Sequence, residues 1–354
     1  MSQITFYEDL TKEMDYIHKY FHYDKKPKSV HQGQRKLFLT ELYFLTEYGH
    51  LSSTVVYPGS AHGYHIPLLA ALFPSHNFVL YDPEVFYEKI ELSKNIEVHH
   101  KLLLEDDAIK DEYKGCLLIS DIRTVDKECS DISNITMNLS KALTINREKL
   151  FEFKDLLDYE TNKKLEKILT KINFIDRQKM FSIRICLNNF IEQCLLSEKI
   201  SINDIKSLCE DLRFVNQNNV LEDNELQYKF INWMKPKMSM LKFKVPYPQK
   251  NEDCLYYNFL DGKCLLQAYA PVTSTEMRLI TDGTSLKEYN CNQIEKRLFY
   301  FNVIMRNEEN FDNIQEDAIL RNFIVKNPQY SDIDIKMLLD FITKEPLKFN
   351  QFLQ

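Results

Sequence analysis

Apolar side chains recur every three or four residues through QRKLFLTELYFLTEY, and that period predicts an amphipathic helix over residues 34 to 48. The pattern then tightens. Thr54-Val55-Val56-Tyr57 is a β-branched and aromatic run that reads as a strand, followed by a turn with glycines at 59 and 63 and a helix-like stretch through Leu68, Leu69, Ala71 and Leu72. A second strand is predicted at 77 to 81, NFVLY, ending on Asp82, a short third near Ile96 to His99, and a further one, CLLIS, at 116 to 120, ending on Asp121. Strands alternating with helical stretches predict a parallel sheet with helices on its faces.

From about 127 to 220 the spacing is helical throughout, with Leu165, Ile168, Leu169 and Ile172 on one stripe and Leu187, Phe190, Ile191, Cys194 and Leu195 on another. Ser201 with Asp204 forms a capping-box start for a helix through Leu208. Short β-like runs return around 238 to 244, 263 to 269 and 276 to 280, and helices are predicted near 288 to 306 and 333 to 348. No internal repeat or low-complexity tract interrupts this order. The α/β domain therefore takes residues 1 to 126 and 221 to 354, with 127 to 220 as a helical insertion into it or a small domain beside it.

Composition adds little to the fold but narrows the class. At 44% hydrophobic and 27% charged, 354 residues suffice for a large core, and nothing suggests disorder. The eight cysteines, at 116, 129, 186, 194, 209, 254, 264 and 291, show no CxxC pairing, so free buried thiols in a reducing compartment are expected, without disulfides. The opening MSQITFYEDLTKEMDY is acidic and aromatic where a signal peptide is basic and then apolar, and no run approaches membrane-spanning length; a soluble intracellular protein is expected. The net charge of -7 argues against a protein that coats nucleic acid. Residues 235 to 250, KPKMSMLKFKVPYPQK, nonetheless carry five lysines and no acid, interleaved with Phe243 and Tyr247. A surface that tracks phosphates and stacks bases needs that combination. Taken alone, the segment reads as a lysine-decorated surface strand.

The glycine turn carries the first candidate chemistry. Glycine is scarce, seven in the whole chain, so its use at 59 and 63 marks backbone that needs it. The GxxxG spacing departs from the GxGxxG of a pyrophosphate cradle. An adenosyl ligand without a pyrophosphate fits better, with Asp82 at the end of the next strand placed to accept from ribose hydroxyls, which suggests S-adenosylmethionine. A tight strand-helix connection without a ligand would show the same signature. Asp121, closing its own strand, points into the same crevice. The histidines at 62, 65, 99 and 100 lack a third ligand at zinc spacing, and no metal is expected.

Five blocks in register go further. HQGQRKLFLTELYFL, TVVYPGSAHGYH, LLISDIR, NELQYKFINWMKPKMSMLKFKVPYP and LLQAYAPVTSTEMRLI resemble, in order, the blocks of the poxvirus cap-specific mRNA nucleoside 2'-O-methyltransferase family, whose members double as the small stimulatory subunit of the viral poly(A) polymerase. The resemblance runs over roughly 13 to 126 and 221 to 307 and leaves out the helical block, which it makes an insertion. It implies a Rossmann-like class I S-adenosylmethionine-dependent methyltransferase sheet flanked by helices. The family's catalytic Lys-Asp-Lys-Glu falls on Lys36, Asp121, Lys242 and Glu276. Its S-adenosylmethionine contacts fall on Gln34, Tyr57, Gly59, Gly63, His65 and Asp82, with Arg123 lining the site. The aromatics that sandwich the methylated cap guanine match Tyr16 and Tyr247, and an acid that reads its edge matches Glu295. The chain departs from the pattern at Gln249, where a second cap-contacting acid belongs, at Thr273, where the family has tyrosine, and at His62, where it has proline.

The chemistry suits those residue types. Methyl transfer to a ribose hydroxyl is an in-line displacement on a sulfonium, and the hydroxyl must lose its proton as charge develops. Lys242 acts as base only when neutral, so neighbouring Lys36 and Arg123 and partial burial have to outweigh Asp121 and Glu276, which orient it. A cationic 7-methylguanine stacks between aromatic rings better than a neutral guanine does. The partners implied are m7G-capped mRNA and a poly(A) polymerase catalytic subunit, with no membrane, in the host cytoplasm or virion of a large DNA virus. Two other readings stand beside this one. A ribosomal or transfer RNA substrate is opposed by Tyr16, Tyr247 and Glu295, and a purely RNA-holding processivity subunit is opposed by the intact catalytic set.

Overall fold

A computed structural model of the chain describes residues 3–14, 32–123, 139, 143, 147–170, 187, 189–201, 204–205, 217–246, 255–271, 274–332 and 334–336. The first helix, α1 (Gly33–Tyr48), buries Phe38, Leu39, Leu42, Phe44 and Leu45. The chain then alternates through β1 (Thr54–Pro58), α2 (Ile66–Leu72), β2 (Asn77–Tyr81), β3 (Ile96–His99) and β4 (Leu117–Ser120). A proline in the first turn of α2 costs no hydrogen bond there and presets its φ. In β1 and β2 the residues are buried on both faces, which explains why they read as unbroken apolar runs instead of alternating ones.

Between β4 and the next sheet strand lies a second compact unit, Thr124–Asn219, distinct from the first, which comprises Met1–Arg123 and Val220–Gln354. Its helices include α3 (Arg147–Asp155) and α4 (Tyr159–Thr170). It has its own core, in which Leu139, Leu143, Phe153, Leu165, Leu187, Ile191 and Ile205 are buried. Ser201 and Asp204 make the reciprocal pair of a capping box: Asp204 N donates to Ser201 Oγ at 3.1 Å and Ser201 N to Asp204 Oδ2 at 2.9 Å.

Helix α5 (Gln217–Met234) leads into β5 (Met238–Phe243), and β6 (Tyr256–Leu260), β7 (Lys263–Leu265), β8 (Met277–Thr281) and β9 (Leu286–Asn290) follow. The main sheet has seven strands in the order β3-β2-β1-β4-β5-β8-β7. The strands β3, β2, β1, β4 and β5 are mutually parallel, whereas β8 runs antiparallel to both β5 and β7. Strand side chains split between two cores by the two-residue period: Val55 and Tyr57 face one with α1, α2 and Phe323, and Val56 faces the other with Phe230 and Leu298. Each face of the sheet is thus covered.

Three sequence expectations need correction. Residues 263 to 269 are not one strand: β7 ends at Leu265, and the chain leaves the sheet through Tyr269 at a φ of 57°. The helix expected from 288 begins at Cys291, as α6 (Cys291–Tyr300), because Leu286–Asn290 pairs with β6 as a two-stranded ribbon and Asn290 caps the helix by accepting from Gln293 N at 3.0 Å. Beyond a π-helical turn, Phe301–Met305, a further helix, α7 (Phe311–Lys326), stands where none was expected. The helix predicted at 333 to 348 lies almost wholly outside the described residues.

The free edge of β7 is closed by the N-terminal segment. Phe6 forms an antiparallel bridge to Leu265, the N–H of Cys264 donates to the Glu8 carboxylate at 3.2 Å, and Thr5 exchanges hydrogen bonds with the Gln315 side chain on α7. Cys116, Cys194, Cys264 and Cys291 are buried free thiols; the remaining cysteines lie outside the described residues. Among the described residues no helix is long and apolar enough to cross a membrane, and no group of His, Cys, Asp and Glu could hold a metal ion.

Candidate active site

The strand order reverses between β1 and β4, and ligands of open α/β sheets sit outside the carboxyl ends of the strands at that point. Gly59 leaves β1 there with φ +80°, and a Cβ on it would come within 2.5 Å of Ile122 N and 2.6 Å of Asp121 C. Only glycine lets the turn pass so close to the end of β4. Asp121 N in return donates to Pro58 O at 3.1 Å, which locks the two strand ends together. Gly63, at φ +66°, has Ser60 O 2.9 Å from where its Cβ would be. The Asp82 carboxylate braces this turn, accepting from Ala61 N at 3.1 Å through one oxygen and from Glu84 N at 2.9 Å through the other. Ser60 is buried at 3% exposure, and its hydroxyl has no hydrogen-bond partner among the described residues.

A chain of buried polar groups backs the turn. Tyr57 donates its hydroxyl to Glu41 Oε1 at 2.7 Å, His65 Nε2 lies 2.8 Å from Glu41 Oε2, and His65 Nδ1 lies 2.7 Å from the Gln34 amide. Tyr57, His65 and Glu41 are each about 1% exposed, and Gln34 alone of the four is half-buried. Burial, with Glu41 beside it, pushes the Tyr57 phenol well above its ordinary range and keeps it a hydrogen-bond donor. Of the positions matched to cofactor contacts, Tyr57 and His65 therefore spend their side chains on one another's surroundings.

A second cluster stands across the turn at the same edge of the sheet. Because β8 runs antiparallel, its start lies where β4 and β5 end, so Glu276 meets Asp121 and Lys242 there. Lys242 Nζ is 3.2 Å from Asp121 Oδ1 and 3.8 Å from Glu276 Oε2. Lys36, from the first turn of α1, reaches Glu276 Oε1 at 3.1 Å, and Arg123 pairs with Glu276 Oε2 at 2.9 Å. Arg278, directly across the antiparallel pair from Lys242, is 2.8 Å from Asp121 Oδ1 and 3.8 Å from Glu276 Oε1. Lys36, Lys242 and Asp121 keep 12%, 13% and 18% exposure, enough for a substrate to reach them, while Arg278 is 1% exposed.

Four cations thus surround two carboxylates. Burial alone would raise Asp121, but Arg278, Lys242 and Lys36 outweigh it and hold the carboxyl at about 2. The same balance, with Lys36, Lys242, Arg278 and Arg123 against burial, holds Glu276 well below its usual range. Burial pushes the Lys36 ammonium down, with Arg278 and Lys242 adding to that and Glu276 and Asp121 opposing it. The arginines cannot shed a proton. Any relief of the surplus positive charge falls on a lysine.

The cluster is held from behind. Arg278 Nε donates to Gln267 Oε1 at 2.9 Å, and Gln267 Nε2 donates to Glu276 O at 3.1 Å. The π-helical turn places Asn302 and Arg306 so that Asn302 donates to Ser274 O at 2.7 Å and Arg306 to Gln267 O at 2.8 Å, with Arg306 itself paired to Asp312 at 2.9 Å. From α5, Gln227 donates to Lys242 O at 2.9 Å. The end of β5 and, facing it, Gln267, Ser274 and Glu276 are fixed by side chains no periodicity would single out.

The sequence reading missed Glu41, Gln267 and Arg278. Arg278 and Glu41 did carry a signal: each is a lone charge inside a run that is otherwise buried, MRLIT and FLTELYFL. Glu295 is on α6 and buried at 6% exposure. Tyr16, Tyr247, Gln249 and Thr273 lie outside the described residues, so the cap-reading set is not assembled here. His62 approaches Val85 O with Nδ1 at 2.6 Å, tying the glycine turn to the segment after β2.

Comparison with known proteins bears on this arrangement. The chain is 25% identical over 337 residues to the cap-specific mRNA (nucleoside-2'-O-)-methyltransferase of Myxoma virus (strain Lausanne), an alignment that covers 92% of this chain and 73% of the relative. The enzyme of the same name from Fowlpox virus (strain NVSL) is 25% identical over 318 residues, covering 85% of this chain and 76% of that one. A profile of the family described as Poly A polymerase regulatory subunit matches residues 2–143 and 151–351, both sides of the interposed helical unit and most of that unit itself, and the chain belongs to that family.

Proposed function

We propose that the chain is an S-adenosylmethionine-dependent methyltransferase that modifies the ribose 2'-OH of the first transcribed nucleotide of m7G-capped mRNA. The observation that carries the reading is the cluster of Lys36, Asp121, Lys242 and Glu276, joined by ion pairs of 3.1 to 3.8 Å and opening beside the glycine turn. The names of the viral relatives support it, as does the sheet, whose switch point lies at that turn.

The residues at the turn fit the cofactor. The Ser60 hydroxyl, without a partner among the described residues, the half-buried Gln34 amide and the Asp82 carboxylate offer donors and acceptors to ribose hydroxyls and to an amino-acid tail, and Arg123 adds a cation at the rim. S-adenosylmethionine bound there supplies an electrophilic methyl group. The protein's part is to place the hydroxyl in line and take its proton. Lys242 takes that proton: it is half-buried and held in place by Asp121 at 3.2 Å and Glu276 at 3.8 Å. Arg278 keeps Asp121 ionised, and Lys36 with Arg123 does the same for Glu276. The carboxylates then hold the lysines in position without becoming competing bases.

Transfer of labelled methyl from S-adenosylmethionine to short RNAs, with and without an m7G cap, tests this. Wild type should methylate the capped RNA alone, and Lys242→Ala should lower kcat by about 100-fold or more, as removal of a general base does. Equal activity on uncapped RNA would move the substrate to ribosomal or transfer RNA. A second reading is favoured by the family description: a regulatory subunit that holds RNA for a poly(A) polymerase. Tight RNA binding and stimulation of such a polymerase, with no methyl transfer, would leave that reading standing alone.

A further inference from the structure

We propose that Glu41 is a positioning residue for the cofactor, acting through the His65 ring on the Gln34 amide; the inference rests on the cofactor reading above. Glu41 is buried at 1% exposure yet takes no part in the charge cluster. Among the described residues its partners are the Tyr57 hydroxyl at 2.7 Å and His65 Nε2 at 2.8 Å, neither of them lysine or arginine. A carboxylate carries a desolvation cost in such a place, and here it is offset by hydrogen bonds to two buried groups that face the glycine turn.

What the carboxylate does is fix a ring. With Nε2 held by Glu41, the imidazole of His65 presents Nδ1 to Gln34 at 2.7 Å in one orientation. Gln34 and Glu41 stand two turns apart on one stripe of α1, and His65 spans between them from the N-cap of α2. Tyr57 anchors the other carboxylate oxygen from the penultimate position of β1, two residues before Gly59. Three of the four groups are sealed from solvent, and the fourth, Gln34, is the one that reaches the opening. A free glutamine side chain pays to order its rotors when it meets a ligand. Held by a locked ring, Gln34 meets the cofactor already ordered.

Calorimetric titration of S-adenosylmethionine into wild type, Glu41→Gln, Gln34→Ala and the double variant, with KM and kcat for each, tests the inference. Glu41→Gln should weaken binding about tenfold, the scale of one charge-assisted hydrogen bond, and should raise KM for the cofactor by more than it lowers kcat. In the Gln34→Ala background the same change should alter affinity by less than about twofold, because its route is already cut. An unchanged affinity in the first comparison, or the same loss in both backgrounds, overturns the inference. Should Glu41→Gln not fold, Tyr57→Phe removes one partner of the carboxylate at constant shape; its smaller weakening should likewise vanish with Gln34→Ala, and equal weakening in both overturns the inference. Wild type that binds no S-adenosylmethionine overturns the cofactor reading itself, and this inference with it.

Discussion

Arg278 shows how one residue can serve a site it does not open onto. It sits opposite Lys242 across an antiparallel pair, where like charges repel, and the Asp121 oxygen between them turns that repulsion into two attractions, at 2.8 and 3.2 Å. Replacing Arg278 with methionine fills the space but takes from Asp121 its nearer cation and leaves the Gln267 amide oxygen without that donor. Loss of one partner from a buried ion pair costs about 3–5 kcal/mol, so Arg278→Met should lower the thermal midpoint by several degrees and reduce activity as well. Arg278→Lys should not restore either, since a single ammonium cannot reach both Gln267 and Asp121 in the fork that arginine provides. Differential scanning calorimetry with a methyl-transfer assay reads both quantities. Thermal stability and activity equal to wild type would contradict the role given to Arg278.

At the scale of elements, the N-terminal segment is the least expected of the structure's devices. An exposed strand edge invites pairing with another molecule, and Glu8 covers that of β7 by accepting from Cys264 N. Glu8→Ala should leave the cofactor site intact and raise concentration-dependent aggregation, measured by light scattering near the thermal midpoint. The strands that sequence made legible are those packed on both faces: β1, β2 and β4 announce themselves as short apolar runs between turns. The ribbon of β6 and β9 did not, because YYNFL and LKEYN mix exposed polar positions with aromatics and only their pairing makes them strands. Helix α7 escaped for a related reason: it buries Asp312, Gln315 and Glu316 among its apolar residues, so its inward face is not hydrophobic in sequence. Those polar groups are answered by Arg306 just before the helix and by Thr5, Arg35 and Tyr269, which are distant in the chain. The site follows the same logic. Residues at strand ends and glycine turns could be named from local pattern or from resemblance, whereas Glu41 and Gln267 matter through partners that only the folded chain supplies.

For the whole molecule, the depressed carboxylates set a limit on the acid side. Asp121 and Glu276 bind protons less readily when folded than in the unfolded chain, so their contribution is complete above about pH 4, where free carboxyls ionise, and is lost as pH falls towards about 2. Unfolding free energies measured from pH 6 to pH 2 should fall steeply in that window for wild type and less so for Asp121→Asn, itself less stable at neutral pH. The two units make a further expectation. Replacing residues 124–219 with a glycine-serine linker should leave the cofactor affinity of the remaining unit unchanged, because that unit has its own cores on both faces of the sheet. Loss of capped-RNA binding alone in that variant would assign the helical unit to the RNA path.

The closure of β7 also has a consequence in time. Glu8 waits for Cys264, 256 residues downstream, and Thr5 for Gln315, 310 residues downstream. At ribosomal speed that is a delay of roughly 10–60 s, during which Thr5 and Glu8 have been made but these partners have not. The edge of β7 can be sealed only after the segments around Cys264 and Gln315 have been made, so Thr5 and Glu8 find their native partners later than the neighbouring strands β1, β2 and β4 find theirs.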